Sequence, residues 1–270
     1  MSPALIRKTV RDYLLLWLAA MVLLLGFVVL YILASHSVSM NQGREFLRLE
    51  WVRRLFSALV GSDVMDAMTP TGVSSFAFTH PLVWTLIVAF VLTITSGVLA
   101  GEMDRGTMDL VATLPISRPR MYMSLSVVVL AMGLPICWVL WVGAWLGKGL
   151  AQAEQVDMAA LAMLPWHLYA AYVFLACLAL AISGVCDRRT EAATLAFLYI
   201  FYSFVLNLLG AFWAPVKKIA FTGFLQYYAV IPIVRDQVWR TGDMAVLLAA
   251  GAVCWAAGLI AFCRRDIPAR

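Results

Sequence analysis

YLLLWLAAMVLLLGFVVLYIL, residues 13–33, is a run of 21 residues without an Asp, Glu, Lys or Arg. A helix rises about 1.5 Å per residue, so such a run crosses a hydrocarbon core of about 30 Å. Five more uncharged stretches of similar length follow: Pro81–Ala100, Met121–Leu146, Trp166–Val185, Ala193–Phe212 and Met244–Cys263. None alternates with the period of a barrel strand, and in lipid only helices and closed barrels satisfy every backbone group. The sequence therefore predicts an all-α integral membrane protein with six spans forming a single transmembrane domain over residues 1–270.

Composition agrees. Hydrophobic residues make up 63% of the chain and charged residues 13%, against roughly 45–50% and 25% in soluble domains. A soluble fold could not hide that much apolar surface. The net charge of +5 is spread between the apolar runs, which argues for loops beside lipid headgroups and against a nucleic-acid partner. The first run exceeds the roughly 7–15 residues of a signal-peptide core and reads as an uncleaved span. The five cysteines lie in or beside apolar segments with no CxxC pair, and the three histidines form no cluster by spacing. No metal site is expected.

An even number of spans puts both termini on one side. With that side cytoplasmic, the inner segments hold eleven of the twenty Lys and Arg residues, a weak positive-inside preference. Between the first two spans, Arg44, Arg48, Arg53 and Arg54 alternate with Phe46, Leu49, Val52, Phe56 and Leu59, the pattern of an amphipathic helix lying in the interface. Ile219–Val234 is uncharged but short and broken by Gly223 and Pro232. It reads as a re-entrant or interfacial hairpin before the sixth span, with Trp213, Tyr227, Tyr228 and Trp239 as interfacial anchors.

The chemistry-bearing motifs are few. Gly143-Ala-Trp-Leu-Gly147-Lys148-Gly149 is too short for a phosphate loop, lacks the following Ser or Thr and follows a helix; it reads as a helix end. No nucleotide or other cofactor is expected on this chain. The link GEMDRGTMDLVATLPISRPR, residues 101–120, reads as a short helix capped at Thr107, with Met108, Val111 and Leu114 along one face and Pro115 ending it. Such a helix suits a protein partner, and an ordinary solvated loop is the competing reading. Glu102 and Arg105 stand at i, i+3, the spacing of a local ion pair. Polar side chains recur in two spans: Thr93 and Ser96 in the second, and Tyr199, Ser203 and Asn207 along one face of the fifth. They either line a substrate path or hydrogen-bond between packed helices. No Asp, Glu, Lys or Arg lies within the six runs, which disfavours an ion-coupled carrier or an intramembrane enzyme.

The 101–120 link resembles the membrane subunits of type-2 ABC transporters, the exporter-like ABC permease family. The matching positions are Glu102, Gly106-Thr107, Leu110, Leu114 and Pro115-Ile116-Ser117-Arg118, and Phe262-Cys263-Arg264-Arg265-Asp266-Ile267 is similar to the family's closing motif. The resemblance implies a coupling helix over 102–118, seated in a separate ABC ATPase subunit that binds the ATP and Mg. Glu102, Arg105, Gly106, Thr107, Leu110, Leu114, Pro115 and Arg118 would meet that subunit. It further implies a permease in the cell membrane, both termini cytoplasmic, acting with a second copy as a homodimer, and second and fifth spans lining the central cavity. A permease-like subunit of a cofactor-maturation system and a non-transporting scaffold are the alternatives.

Overall fold

The computed structural model describes residues 2–37, 49–50, 68–106, 116–210 and 212–265. Most of the proposed interfacial helix (44–59) and most of the coupling helix (107–115) lie outside the described residues. Within them the chain is all-helical, and six helices are long and apolar enough to cross a membrane. We label these α1 (Pro3–Ser37), α2 (Pro81–Val98), α3 (Arg118–Leu150), α4 (Leu164–Val185), α5 (Arg189–Gly210) and α6 (Thr241–Arg264).

The helices run past the apolar limits read from hydropathy. α1 begins at Pro3, ten residues before the uncharged run, and carries Arg7, Lys8 and Arg11 on its first turns. Charge does not end a helix; a breaker or a cap does, and none intervenes here. α2 is entered through a helix at Pro70–Ser75 and a 3-10 turn at Phe76–Thr79. The Thr69 hydroxyl accepts the Gly72 N–H at 3.0 Å, and His80 Nδ1 accepts that of Leu82 at 3.2 Å. Pro70 and Pro81 follow these caps at the first helical position, where a missing N–H is harmless. At its other end α2 stops at Val98, two residues short of the apolar limit drawn from the sequence at Ala100; the chain breaks at Leu99, and a new turn spans Ala100–Asp104. The Ala100 N–H freed by that break is taken up by Ser183 Oγ of α4 at 3.1 Å.

α1 lies along α3, and α6 along α4. Both seams depend on glycine. A Cβ on Gly147 would sit 2.8 Å from Ile32 Cβ, and one on Gly143 3.0 Å from Val28 Cβ. Leu24, Val28 and Ile32 form the buried stripe of α1 that fills this groove. Gly143 and Gly147 are thus a small-xxx-small packing face inside α3, while the helix end itself comes at Leu150. Across the other seam, a Cβ on Gly258 would lie 2.6 Å from Ala181 Cα, and one on Gly251 3.2 Å from Phe174 Cα.

α3 contains Pro135, which removes one helical N–H and crowds the preceding turn. Around it, carbonyls of α3 receive side-chain donors from neighbouring helices. Tyr172 gives its hydroxyl to Val129 O at 2.8 Å, Tyr169 to Leu130 O at 3.2 Å, and Trp17 its indole N–H to Met132 O at 2.9 Å. In lipid such donors replace the water that would otherwise serve a disturbed helix.

The broken segment before α6 consists of 3-10 turns at Ala220–Thr222 and Phe224–Tyr227 and a helix at Val230–Asp236, closed by Gln237 in the left-handed region. Trp84 of α2 meets Phe224 and Tyr228 edge-on, at 5.6 and 5.4 Å between ring centres. Tyr228 is buried and donates to Phe78 O at 3.3 Å, so it is a core residue and not an interfacial anchor. Trp213 and Trp239 are exposed.

Candidate coupling surface

The start of α1, the end of α2, the start of α3, the α4–α5 turn and the end of α6 all meet at one end of the bundle. The Ser2 N–H donates to Ser124 Oγ of α3 at 2.9 Å, and Arg118 of α3 reaches carbonyls at the end of α6. The start of α1 and the end of α6 therefore lie on the same face as Arg118.

Glu102 is at the centre of the charge on this face. Its carboxylate accepts from Arg105 Nη2 at 2.9 Å and from Lys8 Nζ at 3.1 Å, and its side chain is only 15% exposed. The local i, i+3 pair read from the sequence is present, and a second cation from α1 joins it. The three groups bind the turn after α2 to the first turns of α1. Gly106 closes this turn at φ +67, a conformation that glycine adopts without steric cost. Beside it, Arg189 at the start of α5 reaches back to Thr93 O of α2 at 3.4 Å. Tyr13 of α1 fills the space that a Cβ on Gly97 would take.

The α3 side of the stretch begins at Arg118, whose guanidinium donates to Cys263 O at 3.4 Å and to Arg265 O. Arg265 in turn donates to Cys186 O at 3.0 Å and Gly184 O at 3.4 Å, and pairs with Asp187. Burial, with Glu191 and Asp187 nearby, pushes the Cys186 thiol above its ordinary range, while Arg265 pulls the other way. Sequence reasoning named Arg118 but gave Arg265 no role, because their contact joins positions far apart in the chain.

Of the residues proposed to meet an ATPase, Glu102, Arg105, Gly106 and Arg118 flank the stretch as described; Thr107, Leu110, Leu114 and Pro115 lie outside the described residues. The polar residues of the spans fall into two groups. Ser96 is buried and returns its hydroxyl to Leu92 O of its own helix, and Thr93 is half-buried. On α5, Tyr199 donates to Thr222 O at 3.0 Å and Ser203 accepts the Leu225 N–H at 3.3 Å. These two grip the broken segment, with half-buried Asn207 one turn beyond.

No curated protein and no solved structure matches the chain. The family described as ABC-2 family transporter protein matches residues 6–267, all but the extreme ends. Six apolar helices, a charged face assembled from both termini and the inter-span turns, and a match of this extent lead to one assignment: the chain belongs to the ABC-2 family of transporter proteins and is a multi-pass membrane subunit of that type.

Proposed function

We propose that this chain is the permease of an export-type ABC transporter, driven by a separate ATPase subunit that seats on residues 102–118. The observation that carries the reading is the convergence at one end of the bundle. Lys8, Glu102 and Arg105 bind the α2 side of the 107–115 stretch to α1, and Arg118 binds the α3 side to α6. A partner pressing on that stretch would thus push against α1 and α6 as well as on the two helices it joins. In this reading the face is cytoplasmic, ATP and Mg reside on the partner, and two permease copies work together. The exposed Leu195, Phe197, Leu198, Phe201 and Phe204 give α5 an apolar face open to a second copy or to lipid. Tyr199 and Ser203 act by holding the 219–227 segment beside the transport path, since both commit their hydroxyls to it.

The test is purification of the tagged chain in mild detergent, with identification of bound proteins and an ATPase assay. A soluble ATPase is expected to co-purify, and Leu110→Asp is expected to release it. Purification without an ATPase, or a complex indifferent to Leu110→Asp, would overturn the reading.

A further inference from the structure

A helix ends with carbonyls that have no intrahelical partner, and the commonest closure is a left-handed glycine just past the last turn. Neither α4 nor α6 has one. α4 leaves through Cys186 at φ −85, ψ 145, and α6 through Arg265 at φ −74, ψ 136, both extended. Their last carbonyls go instead to guanidinium groups from other elements. Arg265, just past α6, closes α4 through Gly184 O and Cys186 O and pairs with Asp187 in the turn that leads into α5. Arg118, the first residue of α3, closes α6 through Cys263 O and Arg265 O.

We infer that Arg118 and Arg265 form a two-step tie that carries displacement of the 107–115 stretch from the start of α3 into the ends of α6 and α4. The inference rests on the proposed coupling role of that stretch. A glycine closure is local and leaves a helix end free of its neighbours. A closure supplied by another element makes two ends move together, and here two such closures run in series from Arg118, the last residue of the proposed coupling segment and the first of α3. Guanidinium groups suit such a tie, since they stay charged at any physiological pH, favour the negative end of the helix dipole and offer several donors in a fixed plane. Arg265 is a positioning residue in this scheme, as it acts through the helices it joins.

The test uses the full chain bound to its ATPase in lipid nanodiscs, on a background with the native cysteines replaced. A nitroxide is placed on α6 at Ile260 or at the end of α4 at Val185, both exposed. Spectra are compared between the resting complex and the complex trapped with ATP and vanadate. In the parent both labels are expected to change on trapping. Arg265→Gln keeps the carbonyls that Arg118 holds, so it is expected to cut the change at Val185 at least threefold, leave that at Ile260 intact and keep the ATPase bound. Arg265→Lys is expected to recover at least half of it, a rescue that simple loss of folding would not give. Should Arg265→Gln fail to fold, Asp187→Asn removes only the ion pair and is expected to reduce the Val185 change in the same direction. A Val185 label that responds fully in the variants, or that never responds in the parent, would overturn the tie alone. A parent that binds no ATPase would overturn the coupling reading, and the tie with it.

Discussion

The two glycine seams and the fifth helix are held in different ways. Along α1–α3 and α4–α6, helices approach until side chain or backbone fills the place of a missing Cβ, as at Gly147 and Gly258. Among the described residues, α5 has no seam of that kind with another long helix. It is fixed at one end by Arg189 on Thr93 O and along its length by Tyr199, Tyr202 and Ser203 on the 222–225 turns. The apolar stretch ending in α4 is 67% buried and makes α4 the hub, whereas those of α1, α5 and α6 are each 22% buried, so α5 differs from α1 and α6 in how it is held and not in how much of it is covered. Close backbone contact resists sliding, because any shift meets repulsion within tenths of an ångström. Hydroxyl contacts to an irregular segment can be exchanged at modest cost. The difference marks the two seams as rigid pairs and α5, with its broken partner segment, as the element free to rearrange.

The comparison breaks most sharply at Gly258. Its nearest neighbours include the backbone of Ala181, which cannot swing aside. Gly258→Leu is therefore expected at the upper end of overpacking costs, about 3 kcal/mol. The measurement is the SDS midpoint of unfolding in detergent, followed by tryptophan fluorescence. If Gly258→Leu unfolds with the parent, the α4–α6 seam is not the rigid pair described. Gly147→Leu, facing Ile32 Cβ at 2.8 Å across the other seam, is expected to fall in the same range but lower, since this approach is less close than the 2.6 Å one at Gly258.

Ser203→Ala is expected to cost about 1 kcal/mol by the same assay, the worth of a hydrogen bond to a backbone N–H. It sharpens the comparison through a second readout: limited proteolysis within 219–229 should accelerate while the core fragments survive. Unchanged cleavage would mean that packing of Phe224 and Tyr228, and not the α5 hydroxyls, retains the segment. Gly26 lies on α1 with no atom within 4 Å of a built Cβ. Gly26→Ala is expected to stabilise by about 0.5–1 kcal/mol, through helix propensity alone.

Much of this architecture could be read from the chain, for definite reasons. The six spans follow from uncharged length, and the broken segment from Gly223 and Pro232 in a run too short to cross. The break at Leu99 could not be seen, because the apolar run continues through it and the structure depends on Ser183 of another helix to take the freed N–H. Gly143 and Gly147 were visible as glycines four apart, but spacing alone does not say which helix presses on them. On the candidate surface, Glu102–Arg105 was legible because both partners share one turn. Lys8, Arg265 and Asp187 were not, because their partners are brought to them only by the packing of α1 on α3 and α6 on α4. Local geometry is written in short spacing; ties between helix ends appear only once the bundle is assembled.

The smallest expected effect tests whether the charged face is a structural joint in its own right. Glu102 holds Arg105 within its own turn and Lys8 from α1, and the two bonds should differ in kind. A double-mutant cycle of Lys8→Met and Glu102→Gln is expected to give a coupling of about 0.2–1 kcal/mol, because Lys8 is half in solvent. Screening at 1 M salt, where the Debye length falls to about 3 Å, should remove most of that coupling. The same salt should leave the cost of Gly258→Leu unchanged, since that cost is steric. Coupling that survives high salt would mean that Lys8 is packed and desolvated against the turn, making this joint as rigid as the glycine seams. Coupling indistinguishable from zero would mean that Lys8 does not orient Glu102, and the hold of α1 on this end would then rest on contacts such as Tyr13 against Gly97.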